Sequence, residues 1–345
     1  MVNFKKIGVA AAMMLTALSA MASNFRVADQ VYVPAAGHLS GASGTFLSDI
    51  FISNLSDTPT TVSVIFASGT GGTTTQFANL FLLAGKERRE FVDFVAKPQP
   101  NGLGLAGNQF GQLIFNGCKQ GGDCTEANQD PVTGVSLDFR NISVESRIYS
   151  IPAGTDLSSN PPTTGQAFPG FPWYSFVSSD QTAQGLDKVF ITGVRNTGGA
   201  GQAGTYRGNI GLVNASQYSK TTLVVKLFNG LTGAQIGSDF RQDLQPLGQA
   251  QPGLGAMFPS FTGATATNAY VTVEQQNSSP VGTVPVSCAT SGCPAFFAYG
   301  SVLDNASGDA TTLEPQYLKA LSQTAIDLIY PPGAGKGSIR RVVHH

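Results

Sequence analysis

Charge and histidine are what this 345-residue chain has least of. Asp, Glu, Lys and Arg together make up 12% of it, about half of the roughly 25% usual in globular proteins. The formal net charge is −1, so there is no electrostatic ground for nucleic acid or an anionic membrane surface as partner. Histidine occurs only as His38, His344 and His345. A Ser-His-Asp or Cys-His device would therefore have to use His38, and no nucleophile-elbow pattern accompanies it. His38 stands in Ala36-Gly37-His38-Leu39-Ser40-Gly41, where the expectation is a turn residue. No apolar run reaches the ~20 residues needed to cross a bilayer. Neither cysteine spacing is Cys-x-x-Cys and no histidine lies near, which argues against a metal or redox centre.

Other partial signatures fail on context. Gly102-Leu-Gly104-Leu-Ala-Gly107 and Gly199-Ala-Gly201-Gln-Ala-Gly204 match the dinucleotide glycine spacing, but no strand-to-helix passage surrounds them to receive a phosphate. Gly333-Ala-Gly335-Lys336-Gly337-Ser338 has Tyr330 where a phosphate-binding loop needs its first glycine. Asp304-Asn305-Ala306-Ser307-Gly308-Asp309 lacks the alternating acids and closing Glu of a calcium loop. No catalytic, cofactor-binding or metal residue is assigned. Asp49, Glu145, Glu274 and Asp304 fall on or beside expected strands, yet no pair stands out as the two carboxyls a glycosidase sets across a cleft. Asn54, Asn141, Asn214, Asn277 and Asn305 each begin an Asn-x-Ser pattern; in a Ser-rich chain chance produces several.

What the chain does contain, it contains twice. Gly44-Thr45-Phe46-Leu47-Ser48-Asp49-Ile50-Phe51-Ile52-Ser53-Asn54 returns as Gly204-Thr205-Tyr206-Arg207-Gly208-Asn209-Ile210-Gly211-Leu212-Val213-Asn214, 205 − 45 = 160 residues later. A spacing of one domain's length points to two copies of a globular module. Both copies alternate with period two: Phe46, Ile50 and Ile52, then Val62, Val64 and Phe66; Tyr206, Ile210 and Leu212, then Leu223, Val225 and Leu227. Asn54-Leu55-Ser56-Asp57 and Asn214-Ala215-Ser216 sit between these strands as turns. Further strands are expected at Gln112–Phe115, Val144–Ile151, Ala269–Val273 and Phe296–Tyr299. With 41 glycines and no long amphipathic helix inside either copy, the expected fold is all-β: two tandem immunoglobulin-like antiparallel β-sandwich domains, a closed barrel being the alternative.

The beginning reads as an export signal over residues 1–22: Lys5 and Lys6, an apolar run from Ile7 to Leu18, and Ala20-Met21-Ala22 before Ser23. Removing it leaves 18 basic against 21 acidic residues, a charge of −3, and no membrane span. In an oxidising compartment the close pairs Cys118 with Cys124 and Cys288 with Cys293 are expected to bridge locally. Each would contribute about 2 kcal/mol by closing a short loop. The first domain is placed at 23–152 and the second at 188–313, with a Pro-rich linker at 153–187. Phe168, Phe171, Trp173, Tyr174 and Phe176 crowd that linker as the candidate binding residues. They read either as a wedge between domains or as an exposed sugar or peptide platform; the wedge is favoured, because five bare rings would invite aggregation. Tyr317, Leu318, Leu321, Ala325 and Leu328 have helical spacing, giving a short helix and a mobile tail at 314–345.

With Gly165-Gln166-Ala167-Phe168-Pro169-Gly170 and Ala298-Tyr299-Gly300-Ser301-Val302-Leu303-Asp304-Asn305, the repeated motif resembles exported bacterial proteins of unassigned activity. Those proteins are built from tandem immunoglobulin-like β-sandwich domains. The resemblance runs from about Val31 to Leu313 and implies a fold and an extracytoplasmic address, secreted, cell-surface or periplasmic. The cysteine loops depart from it. The function expected is non-catalytic binding or scaffolding of an extracellular protein or glycan. The alternatives are a secreted hydrolase using acidic residues and a fibre subunit that adds strands through Ser23 to Val33.

Overall fold

The computed structural model describes residues 27–41, 44–124, 138–152, 155, 163–178, 187–199, 201–284 and 293–316. The expected export signal, the helix expected from Tyr317 onward and Cys288 lie outside the described residues.

The chain is all-β and multi-sheet, with sandwich-like layers. The first half runs β1 (Gln30–Gly41), β2 (Gly44–Asn54), β3 (Thr60–Ser68), β4 (Thr74–Leu83), β5 (Arg88–Phe91), β6 (Gln109–Lys119), β7 (Ile142–Ile151) and β8 (Thr164–Pro169). Two short strands follow, β9 (Phe171–Pro172) and β10 (Val177–Ser178). The second half runs β11 (Lys188–Val194), β12 (Tyr206–Asn214), β13 (Ser219–Asn229), β14 (Gln235–Leu244), β15 (Gln249–Ala250), β16 (Ala269–Pro280), β17 (Ala295–Asp304) and β18 (Ala310–Leu313). A helix of one turn, α1 (Leu254–Met257), follows β15.

Pairing repeats with the sequence. In the first half one layer is ordered β4-β3-β6-β1, and the other joins β2 to β5 and β7, with β8 on β7. In the second half the layers are β14-β13-β16-β11 and β15-β12-β17, with β18 on β17. Every strand but β9 and β10 has its counterpart. One difference is that β1 turns from one layer into the other, pairing β6 from Gln30 to His38 and β2 from Leu39, with a bulge at Val33/Ala36 beside Pro34. Each pair of layers encloses its own core. Ile50 and Ile52 meet Val62, Val64, Leu113 and Phe115, and Ile210 and Leu212 meet Val225, Leu227, Val271 and Val273, all fully buried.

The repeated motif has a physical reason at each fixed position. Gly44 has φ +154°, and a Cβ there would sit 2.1 Å from the Ile151 carbonyl oxygen; Gly204 has φ +70°. Both conformations favour glycine. Asn54 is fully buried at the end of β2. Its Nδ2 donates to the carbonyls of Thr58 at 2.8 Å and Ala84 at 2.9 Å, while its Oδ1 accepts from the Ser56 N–H at 3.0 Å. Asn214 repeats this with Ser219 O at 2.7 Å, Gln245 O at 2.9 Å and Ser216 N–H at 3.0 Å. Each asparagine ties the end of one strand to two turns. The side-chain amides of Asn54 and Asn214 are therefore occupied and buried, and these two Asn-x-Ser patterns are not surface acceptors; Asn141 and Asn277 are exposed.

Two segments differ from expectation. The stretch 153–187, expected as a linker, contains β8, β9 and β10: β8 pairs β7 and β9 pairs β1 of the first half, while β10 pairs β17 of the second. Proline is tolerated because Pro169 ends β8 and Pro172 ends β9, where no onward ladder bond is needed. Of the expected donor segment Ser23 to Val33, residues 23–26 lie outside the described residues, and Val31 and Tyr32 are paired on both sides, by β6 and by β9. The edge strands β4 and β14 are both interrupted at matching places. Register shifts set Val62/Val64 against Phe81/Phe77 and Val225/Leu227 against Phe240/Ile236, with Asn79 at φ +49° and Gly237 at φ +72° inside the bulges. Such bulges blunt an edge against strand addition.

Candidate functional site

The junction between the halves is the first place where expected residues gather. Phe168, Phe171 and Phe176 are buried at 3%, 0% and 5% exposure, in one cluster with Tyr32 and Ile114 of the first half and Val213, Leu247, Phe297 and Tyr299 of the second. Phe297 stacks between Phe171 and Phe176, with ring centroids 4.9 Å from each, and Tyr32 meets Phe176 edge-on at 4.7 Å. These three phenylalanines are thus withdrawn from any exposed platform, because their rings fill the space between two bodies. Trp173 is half-buried against the same cluster and donates its indole N–H to Asp29 at 2.9 Å. Tyr174 lies in the 3-10 turn Trp173–Ser175.

Polar contacts extend the junction. Gln112 Nε2 donates to the Leu247 carbonyl at 2.6 Å, the Gly72 N–H to Pro246 O at 2.8 Å and the Gln249 N–H to Gly69 O at 3.1 Å. Gln166 of β8 donates to Thr312 at 2.9 Å and accepts from Ser301 at 2.9 Å.

A second constellation has no counterpart among the sequence expectations. His38, expected in a turn, belongs to β1, and its Nδ1 lies 2.8 Å from Asp93 Oδ1. Asp93 has φ +53°, and its N–H donates to Asp49 Oδ1 at 3.0 Å. The same oxygen accepts from the Tyr149 hydroxyl at 3.0 Å, and the Arg147 guanidinium covers the Tyr149 ring at 4.8 Å. Asp49 is 6% exposed and Tyr149 4%. Burial raises the Asp49 carboxyl above its ordinary value, against hydrogen bonds from Asp93 and Tyr149 and the charge of Arg147 that pull it down. Burial, then the charge of Asp49, pushes the Tyr149 hydroxyl well up. The recurrence of Asp49 as Asn209 is the one trace of this site in the sequence; the pairing with His38 and Asp93 is made only by folding.

The linkage sign follows from Asp49. A carboxyl raised in the folded state binds its proton more tightly there than in the unfolded chain. Stability from this group is full below the ordinary carboxylate value and is lost as pH rises through the raised value. Asp49→Asn, which installs the residue of the second copy, is expected to remove that loss. Its unfolding free energy, measured by urea titration at several pH values, should fall less between acid and neutral pH than that of the natural protein. Equal slopes would show that Asp49 is not the group responsible.

The remaining acids stay apart. Glu274 bonds Lys226 and lies 3.4 Å from Lys188; Asp304 accepts from the N–H groups of Ala306 and Ser307 in a turn. Glu145 stands opposite Phe51 and Pro169. Cys118 and Cys124 are bridged, and Cys293 is disulfide-bonded. In the two glycine strings Gly104, Gly107, Gly201 and Gly204 have positive φ. Among the described residues no group of three or more His, Cys, Asp or Glu is placed to hold a metal ion, and no helix is long and apolar enough to cross a membrane. A polar cleft of about 270 Å³ opens beside Lys220, Thr222, Asp243 and Asn277.

No protein-family model matches the chain, and no curated protein matches it. Among solved structures, a chain of the cryo-EM atomic structure of broad bean stain virus is similar at 11% identity and a TM-score of 0.25, with 81% of this chain and 89% of that chain covered. At that score the likeness carries no functional argument.

Proposed function

We propose that this protein is a non-catalytic extracytoplasmic scaffold or binding module, built from two immunoglobulin-like units held at a fixed angle. The observation that carries the reading is the junction. Eleven buried residues form a core shared by both halves, and backbone and side-chain hydrogen bonds add to it. A core of that kind suits a rigid presenter of loops, whereas flexible tandem domains meet through thinner and more polar contacts. The export-like beginning, the near-neutral composition and the disulfide support an address outside the cytosol.

The test is saturable binding of the mature protein to its own cell envelope, with lysine-directed crosslinking in medium and envelope fractions. Saturation and one recurrent crosslinked partner or polymer are expected. Linear, unsaturable adsorption with no recurrent adduct would overturn the reading.

A further inference from the structure

The two halves are an internal control for each other. By the 160-residue offset and the strand registers, Asp49, Asp93, Arg147 and Tyr149 of the first half correspond to Asn209, Leu254, Ser301 and Leu303 of the second. By the register after the β1 and β11 bulges, His38 corresponds to Asn196. All five ionisable positions are uncharged in the second half, which completes the same strand pairing without them. The fold does not require this set, and burying Asp49 opposes stability, so the set serves something other than folding.

We propose that the His38–Asp93 pair is a recognition site for a neutral glycan, with His38 Nε2 accepting a hydrogen bond from a sugar hydroxyl. This rests on the binding reading above. Asp93 holds Nδ1 of His38, so in the neutral ring the proton stays on Nδ1 and the lone pair of Nε2 is presented from a side chain 31% exposed. Nε2 has no hydrogen-bond partner among the described residues. Beside it the surface supplies what a sugar ring needs. Gln109, paired with His38 across the strands, spends its Nε2 on Ala106 O and keeps its carbonyl as an acceptor. Asn108 spends its Oδ1 on the Ser40 N–H and keeps its amide donors. Val92, the chain neighbour of Asp93, is 43% exposed and apolar. Hydroxyls that both donate and accept, around a ring with C–H faces, match this mixture. Behind the pair, the ionisable groups that act on one another with Asp49 and Tyr149 are Asp93, Glu90 and Arg147. Acids outnumber the one guanidinium, which selects against uronic sugars.

The experiment is an array of neutral and uronic-acid oligosaccharides probed with the mature protein, with His38→Asn, and with Asn277→Ala in the distant polar cleft. His38→Asn copies the residue of the second half, so its unfolding midpoint should match that of the natural protein. Expected are binding of neutral glycans, a loss of about tenfold or more in His38→Asn, and none in Asn277→Ala. Undiminished binding by His38→Asn, loss only in Asn277→Ala, preference for uronic sugars, or an empty array would each overturn the proposal. The scaffold reading survives an empty array if crosslinking to the envelope still saturates on a protein partner, and falls only if that fails too.

Discussion

Replacing Asn54 or Asn214 by alanine is expected to destabilise the protein by about 3 kcal/mol each. Alanine removes two donors and an acceptor at once, and a buried polar group left without its partner costs about 1–3 kcal/mol. In Asn54→Ala the carbonyls of Thr58 and Ala84 and the Ser56 N–H lose their partner. In Asn214→Ala the carbonyls of Ser219 and Gln245 and the Ser216 N–H do. Water cannot readily substitute, because both side chains are fully buried. Aspartate does not rescue: it can accept from Ser56 or Ser216 but would point a carboxylate at two carbonyl oxygens. Guanidinium unfolding of the two alanine variants measures the effect, and a cost below about 1 kcal/mol in both would refute the anchoring role.

Truncating Phe297 to alanine is expected to cost about 4 kcal/mol, within the range for deleting a buried phenyl ring. The same change should split unfolding in two. Phe297 is fully buried between Phe171 and Phe176 and near Tyr32, so its ring contacts groups from both halves and from the segment joining them. While the shared core is intact, neither half unfolds without stripping the other of apolar cover, and calorimetry should record one transition. With a cavity there, the halves retain their separate cores around Ile50 and Ile210 and should melt apart. A single transition with a loss under about 1 kcal/mol would show that the junction does not couple them.

Much of the fold is legible in the sequence because it is written locally and twice. Period-two alternation at Ile50 and Ile52, and again at Ile210 and Leu212, fixes which face is buried, and a one-residue slip would expose the whole set. Turn chemistry at Asn54 and Asn214 marks where each strand ends. Proline misled at 153–187, because Pro169 and Pro172 demote strands without forbidding them at their ends. The rings of Phe168, Phe171 and Phe176 were legible as a wedge only by the argument against exposure; their partners, Tyr32, Val213 and Phe297, are far away in the chain. The His38–Asp93–Asp49 set was not legible. Its members lie 55 and 44 residues apart in sequence, on strand and turn positions where a lone ionisable residue is ordinarily solvated.

The sequence by itself determined an all-β chain, its duplication, its turn positions and a nearly neutral surface, since these depend on local periodicity, composition and backbone preference. Only the tertiary structure decided that the proline-rich stretch contributes strands to both halves, that the edge strands β4 and β14 are bulged, that a common core joins the halves, and that one copy gathers five ionisable groups the other lacks. The reason is physical: these features depend on contacts between residues remote along the chain, and no short window of sequence records which remote strand will lie alongside another.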